Sequence, residues 1–189
     1  CFFVQSNHTR KELLFLMFSE INLRNHSSLH KLFYSPTDLD WGGDGLYFWD
    51  NIENAKYWKK QKNIKGYECN IAHAQLEITD DLILDLTTPE SAQRFEETLS
   101  KFVSRKLINE KEFHNHRGAA INAYYNLFVR TGRVPFLVVK IIGHYPNTKS
   151  SNLFRRDDDK PYASIENKTI YVVKDQRKLK DRSIEKGVR

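Results

Sequence analysis

Residues 35–51 read SPTDLDWGGDGLYFWDN, and they join a glycine-rich loop to a short aromatic run. Three of the eight glycines of the chain lie at its centre: Gly42, Gly43 and Gly45. Glycine accepts positive φ angles and lets a ligand approach the backbone closely. The aromatic run is typical of a β-strand, on which Tyr47 and Trp49 would lie on one face and Phe48 on the other. A flexible loop that leads into an aromatic strand therefore predicts a site for a planar ring.

The composition predicts one folded domain. The chain has 189 residues, of which 40% are hydrophobic and 13% aromatic, and its formal net charge is +6. Residues 174–189 hold seven Lys and Arg against three Asp and Glu, which is most of the positive excess. We expect a domain over residues 1–175 and a basic tail over 176–189. Such a tail can bind a nucleic-acid backbone or an acidic partner, or it can be a solvated, partly disordered terminus.

Cysteine usage and hydropathy indicate a cytoplasmic protein without a membrane span. Two cysteines, Cys1 and Cys69, provide neither a disulfide framework nor a metal-ligand spacing, so we expect a reducing compartment and no metal site. The longest apolar run, at residues 11–18, is too short to cross a membrane and has no cleavage site of the signal-peptide kind after it. Its periodicity predicts a helix over 10–19, capped by Thr9.

The rest of the chain predicts an α+β protein, because strands and helices alternate without a regular βαβ rhythm. We expect Asp50 and Glu53 to form a capping box at the start of a helix. The other predicted elements are strands at 2–4, 45–49, 67–78, 82–86, 136–142 and 168–174, helices at 89–106 and 118–130, and a loop at 147–161. Three common enzyme signatures are excluded. The chain has no phosphate-binding P-loop and no nucleophile elbow, and its glycine loop precedes a strand rather than the helix that a dinucleotide fold uses.

The remaining pattern resembles the ADP-ribosyltransferase superfamily, in particular bacterial, toxin-like members of the poly-ADP-ribose polymerase type. In this family a first strand carries a polar residue, often His, a second strand after a glycine-rich segment carries Tyr, and a late strand carries Glu or a substitute. The match is closest over residues 43–48, GDGLYF, which the helix residues 54–58, NAKYW, follow as in many relatives. The resemblance covers most of the chain but is sharp only over residues 35–58. It implies a split mixed β-sheet core with flanking helices.

The resemblance also implies NAD as co-substrate, with Tyr47 stacked on the nicotinamide ring. Tyr47 is equally a candidate core residue of a half-buried strand. Trp41 would cover the adenine or dock the acceptor, or else anchor the loop on the core. The other residues implied to bind NAD are Gln5, Ser6, Asn7, Gly45 and Phe48.

Two of the three key positions depart from the family pattern. Gln5 stands where the first-strand His is usual, and Ile170 aligns with the late-strand Glu. An apolar side chain cannot act as an acid or a base. Glu166 would supply a carboxylate from the loop before that strand, or it is a solvated loop residue. Loss of the family's Glu implies transfer of a single ADP-ribose rather than chain elongation.

The resemblance therefore implies a mono-ADP-ribosyltransferase of the toxin or anti-phage type. Its expected acceptor is a nucleic acid or a protein, and an inhibitory, antitoxin-like protein is a further expected partner. One alternative is a catalytically inert NAD- or ADP-ribose-binding protein. The other is a basic nucleic-acid-binding domain, in which Tyr57, Trp58 and the neighbouring lysines contact bases and phosphates.

Overall fold

The computed structural model describes residues 8–18, 41–49, 51–64, 69–112, 116–144 and 167–184. Within these ranges the helices are α1 (Ile52–Ile64), α2 (Pro89–Ser104) and α3 (Arg117–Val129). The strands are β1 (His8–Phe18), β2 (Leu46–Trp49), β3 (Cys69–Thr79), β4 (Ile83–Asp85), β5 (Val138–His144), β6 (Asn167–Val173) and β7 (Leu179–Ile184). The predicted α+β class is confirmed. None of the helices in this part of the chain is long and apolar enough to cross a membrane.

The strands form one seven-stranded mixed sheet in the order β4-β5-β6-β2-β1-β3-β7. Only β4 and β5 are parallel, and every other neighbouring pair is antiparallel. The described strands do not show the split that the family resemblance implies. The physical reason is that β2 pairs on both of its edges. It pairs with β6 along all four of its residues, and with β1 at Leu14–Trp49 and Phe15–Phe48.

The sheet has a hydrophobic core on each face. On one face β2, β5 and β6 pack with side chains of the three helices, including Ala55, Phe95 and Ile121. Tyr47 and Trp49 belong to this helix-facing core, whereas Phe48 belongs to the core on the opposite face. The predicted alternation of these three aromatic residues is therefore confirmed, and it places Tyr47 on the side of the sheet that the helices cover.

The predicted helix over residues 10–19 is wrong, because this segment is strand β1. Each of its residues, from His8 opposite Thr79 to Phe18 opposite Cys69, pairs with a residue of β3. The apolar spacing that suggested a helix is a weak local preference, and pairing on both strand edges overrides it. The strand predicted at residues 2–4 and the loop predicted at 147–161 lie outside the described residues.

The segment predicted as a basic tail is partly built into the sheet. Residues 176–178 form a 3₁₀ turn, and β7 then pairs with β3 at Gln75–Lys180 and Leu76–Leu179. Leu179 is buried in the core opposite the helices, and the Lys180 ammonium bonds the Glu77 carboxylate at 2.5 Å. One apolar residue within the charged segment therefore anchors it to the domain.

Helix α2 begins at Pro89, as predicted, and short polar side chains lie at the starts of α1 and α2. Asn51 accepts the Glu53 amide at 2.8 Å where α1 begins, whereas Asp50 lies outside the described residues. Thr88 caps α2 by accepting the Ser91 amide at 3.3 Å, and Pro89 occupies the first turn. Both caps are short polar side chains directly before the helix, which is the usual arrangement.

Candidate functional site

The glycine loop folds back onto Tyr47. The Tyr47 hydroxyl donates a hydrogen bond to the Gly43 carbonyl oxygen at 2.7 Å and accepts one from the Gly42 amide at 3.3 Å. Gly43 and Gly45 have φ angles of +76° and +156°, which side-chain-bearing residues rarely adopt. The loop therefore curls over the tyrosine, whose hydroxyl is engaged and whose half-buried ring remains the part that can contact a ligand.

Helix α3 holds the same loop through Asn122. The Asn122 side-chain oxygen accepts the Asp44 amide at 2.8 Å, and its amide group donates to the Asp44 carboxylate at 2.8 Å. These two bonds join residues 78 positions apart in the chain. A reciprocal pair of this kind fixes both the backbone and the side chain of Asp44, and with them the middle of the loop.

Lys174, directly after β6, holds the loop from the other side. Its ammonium donates to the Asp44 carbonyl oxygen at 2.5 Å, to the Gly42 carbonyl oxygen at 3.3 Å and to the Asn122 side-chain oxygen at 3.3 Å. It also lies 5.7 Å from the centre of the Tyr125 ring, a geometry that attracts a cation. We call Asn122 and Lys174 together the loop clamp.

Positively and negatively charged side chains both lie close to the loop clamp. Burial, and then the charge of Asp175, raises the pKa of the Tyr125 hydroxyl above its ordinary value. Asp175 itself is held by Arg177, whose guanidinium hydrogen bonds lower the pKa of the Asp175 carboxyl despite some burial. The phenol next to Lys174 therefore stays neutral at ordinary pH, and the charged neighbours of the loop are ion-paired or hydrogen-bonded.

The glycines of the loop are required by its packing within the protein. A Cβ atom added at Gly43 would lie 2.8 Å from the Gly118 carbonyl oxygen of α3. One added at Gly45 would lie 2.6 Å from the side chain of Val172 in β6, and one at Gly42 would overlap the same valine. The sequence suggested that a ligand approaches these glycines closely. In the described structure, α3 and β6 approach them.

The structure brings together two of the three key family positions. Tyr47 and Ile170 lie on the same face of neighbouring strands, since Ile170 is directly opposite Trp49 in the β2–β6 pair. Ile170 is only 2% exposed and packs in the helix-facing core. The third expected partner, Gln5, lies outside the described residues, as do Ser6, Asn7 and Glu166.

The other residues predicted to bind NAD divide between the two faces. Phe48, which the resemblance implies as an NAD contact, is 0% exposed in the core opposite the helices and does not share the face of Tyr47. Strand alternation sends it to the other side of the sheet. Trp41 is half-buried against the helix-facing core, as the loop-anchor interpretation predicts. Gly45 lies at the start of β2, next to Tyr47.

A second group of aromatic residues lies beside Ile170. The Trp49 and Trp58 rings are 6.1 Å apart, and the buried Trp49 indole nitrogen has no hydrogen-bond partner among the described residues. Lys168, only 8% exposed, places its ammonium 5.5 Å from the centre of the Tyr57 ring. Tyr57 and Trp58, proposed from sequence as base-stacking residues, are thus partly packed against the core.

The outer surface of α1 carries a shallow concavity of about 460 Å³. The described residues that line it are Lys56, Lys59, Lys60 and Ile64. Lys56 also pairs with Glu53 at 2.9 Å, and Ile64 is 71% exposed. The surface is positively charged and is suited to an anionic macromolecule.

Sequence reasoning missed the loop clamp as a functional feature. The available signals were an asparagine within the apolar stretch of α3 and a lysine directly after the apolar end of β6. Neither signal identifies its partner, because both partners are distant in sequence. Among the described residues, no three His, Cys, Asp or Glu side chains cluster in a way that could hold a metal ion. No protein-family model, curated protein or solved structure matches the chain.

Proposed function

We propose that this protein is an NAD-dependent mono-ADP-ribosyltransferase that modifies a macromolecular acceptor. One observation carries the proposal: the glycine loop, Tyr47 and α1 follow one another as the family resemblance implies, with Tyr47 held by the loop on the face of β2 that the helices cover. The loop bonds orient the Tyr47 ring. A tyrosine ring fixed in this way can stack on a planar, cationic nicotinamide, because the ring face attracts positive charge.

NAD would supply the ADP-ribose, and its bond to nicotinamide breaks through an oxocarbenium-like state before an acceptor nucleophile attacks the anomeric carbon. Tyr47 orients the leaving ring. The apolar side chains around it, among them Ile170 and Val172, exclude water from that side. Exclusion of water favours the acceptor over hydrolysis as the attacking group.

The acceptor of the proposed reaction is anionic. The lysines on α1 form a positive surface on the helix that directly follows β2, and they favour phosphate or carboxylate groups on the partner. Nucleic acid and acidic protein both carry such groups. A toxin or anti-phage effector that acts in the cytoplasm and is restrained by an inhibitory protein is the biological setting that fits this chemistry.

A second candidate is an inert protein that binds NAD or ADP-ribose. The observation in its favour is Ile170, which puts a buried apolar side chain where the family has an acidic one. An isoleucine at this position can neither orient the ribose hydroxyls nor activate an acceptor. Binding without turnover is the outcome that this alternative predicts.

The test is nicotinamide release from NAD by the purified protein, with and without a mixture of RNA, DNA and cell protein. We expect release to depend on the mixture and to fall by about 10- to 100-fold in Tyr47→Ala, given the usual contribution of one aromatic stack. Tyr47→Phe keeps the ring but loses the two hydroxyl bonds to the loop, so its activity should fall less than that of Tyr47→Ala. Tyr124→Ala, at a tyrosine of α3 whose ring packs against Phe95 of α2, controls for general loss of stability.

Two results would decide against the transferase. Unchanged release in Tyr47→Ala would remove Tyr47 from the site. No release by the wild-type protein, together with a higher melting temperature in the presence of NAD, would establish the inert binding protein instead, because a ligand that binds only the folded state stabilises it.

A further inference from the structure

We propose that Asn122 and Lys174 are positioning residues, which lock the glycine loop in the conformation that presents Tyr47 to its ligand. The inference rests on the proposed function for the identity of that ligand, NAD. The lock itself is a property of the contacts between the loop, α3 and the end of β6. It adds two residues to the site that no family position assigns.

The two side chains together hold every polar group of Asp44. Asn122 binds its amide and its carboxylate, and Lys174 binds its carbonyl oxygen. Lys174 also reaches the Gly42 carbonyl oxygen on the other side of Gly43. The loop is thus bound at Gly42 and Asp44 to two segments that are distant in the chain, α3 and the end of β6.

A lock is needed because glycine loses more conformational freedom on folding than any other residue. Gly43 and Gly45 have positive φ angles, and the Tyr47 hydroxyl bonds Gly42 and Gly43 from β2, the strand that the loop itself enters. These bonds tie the loop to its own neighbouring strand, whereas Asn122 and Lys174 tie it to α3 and to the end of β6. If Lys174 and Asn122 are removed, the loop loses its attachment to those two segments, and the Tyr47 hydroxyl loses a fixed partner. A ligand must then reorder the loop before it can bind, which lowers its apparent affinity.

Lys140 provides a matched control for substitutions of Lys174. The Lys140 ammonium is also partly buried and also bonds a side chain of this chain, the Asp85 carboxylate at 2.7 Å. Lys140 alternates with Val139 and Ile141 of the helix-facing core, so it lies on the other face of the sheet. Lys140→Met therefore removes a comparable charge and bond without touching the loop.

The first measurement is amide hydrogen exchange at Gly42 and Asp44 in the folded proteins. We expect exchange at these amides to be about tenfold faster or more in Lys174→Met than in Lys140→Met, because a lost charge-assisted bond opens the loop locally. Exchange in α2 should differ little between the two variants. Equal loop exchange in both variants would overturn the proposal.

Asn122→Asp provides a second, isosteric variant if Lys174→Met folds poorly. It keeps an oxygen for the Asp44 amide but replaces the donor to the Asp44 carboxylate by a second negative charge. We expect faster loop exchange in Asn122→Asp as well. In Lys174→Arg, which keeps the positive charge, loop exchange should be slower than in Lys174→Met. Wild-type exchange in Asn122→Asp would contradict the role of the reciprocal pair.

The second measurement separates the lock from the proposed activity. In Lys174→Met we expect KM for NAD in nicotinamide release to rise about tenfold, with kcat nearly unchanged, because the population of the ordered loop falls. An unchanged KM with a loosened loop would refute the positioning role while leaving the transferase intact. A wild-type protein that neither binds nor cleaves NAD would refute the proposed function, and the exchange data would still decide whether the clamp locks the loop.

Discussion

Two glycines with the same backbone conformation provide a direct test of the loop packing. Gly43 and Gly132 both have a φ angle of +76°. An added Cβ would meet the Gly118 carbonyl oxygen and the Asn122 side chain at Gly43, whereas nothing lies within 4 Å of it at Gly132. Alanine at either site therefore costs the same backbone strain, and only alanine at Gly43 must also displace neighbouring atoms.

The expected cost follows from these two contributions. The left-handed conformation costs an alanine about 1–2 kcal/mol, partly offset by about 0.4–1 kcal/mol from the stiffer unfolded chain. Gly132→Ala should therefore lower the free energy of unfolding by no more than about 1–2 kcal/mol. Overpacking adds about 1–3 kcal/mol at Gly43. In a domain of this size each kcal/mol lowers the melting temperature by about 2–4 °C, so Gly43→Ala should melt about 2–12 °C below Gly132→Ala.

The assay is thermal unfolding followed by circular dichroism, with urea midpoints for the free energy of unfolding. Gly42→Ala brings an overlap with Val172 but needs no positive φ angle. Its stability should therefore lie between that of Gly132→Ala and that of Gly43→Ala. Equal stability of Gly43→Ala and Gly132→Ala would refute the close packing of the loop on α3, and with it the structural reason for this glycine.

Two further predictions concern the dependence of stability on pH. Asp85 loses some solvation on burial, but hydrogen bonds from Lys140 and Thr87 and the charge of Lys140 outweigh this and lower the pKa of its carboxyl below 3.8. The free energy of unfolding that this carboxylate contributes is present above pH 3.8 and is lost as the pH falls through the lowered pKa. In urea unfolding, Lys140→Met should therefore lose less stability than the wild type between about pH 5 and pH 2. An equal loss in both proteins would contradict this assignment. Burial raises the pKa values of the Tyr124 and Tyr125 hydroxyls above 10.0. The neutral hydroxyls contribute stability that is fully present below that pH and is lost as the pH rises through the raised pKa values. The double variant Tyr124→Phe, Tyr125→Phe should therefore show a flatter alkaline decline in its urea midpoint, and a decline as steep as that of the wild type would show that other groups cause it.

Local patterns in the sequence were sufficient for the elements that carry their own signals. Pro89 identifies the first turn of α2, and the alternation of Tyr47, Phe48 and Trp49 places β2 correctly between two cores. Strand β1 was mistaken for a helix because its apolar spacing fits both periods. Its conformation depends on pairing with β3, about 60 residues later in the chain, for which the local sequence carries no signal.

The same division applies to the candidate site. The sequence by itself determined that a glycine loop precedes an aromatic strand. It predicted Tyr47 as the residue that a planar ring would contact, and the resemblance aligned Ile170 with the late-strand position. Only the tertiary structure decided what the glycines approach and what holds the loop. Asn122 and Lys174 reach Asp44 across 78 and 130 residues of chain, and contacts over such distances arise from the packing of α3 and β6 against the loop rather than from any local preference.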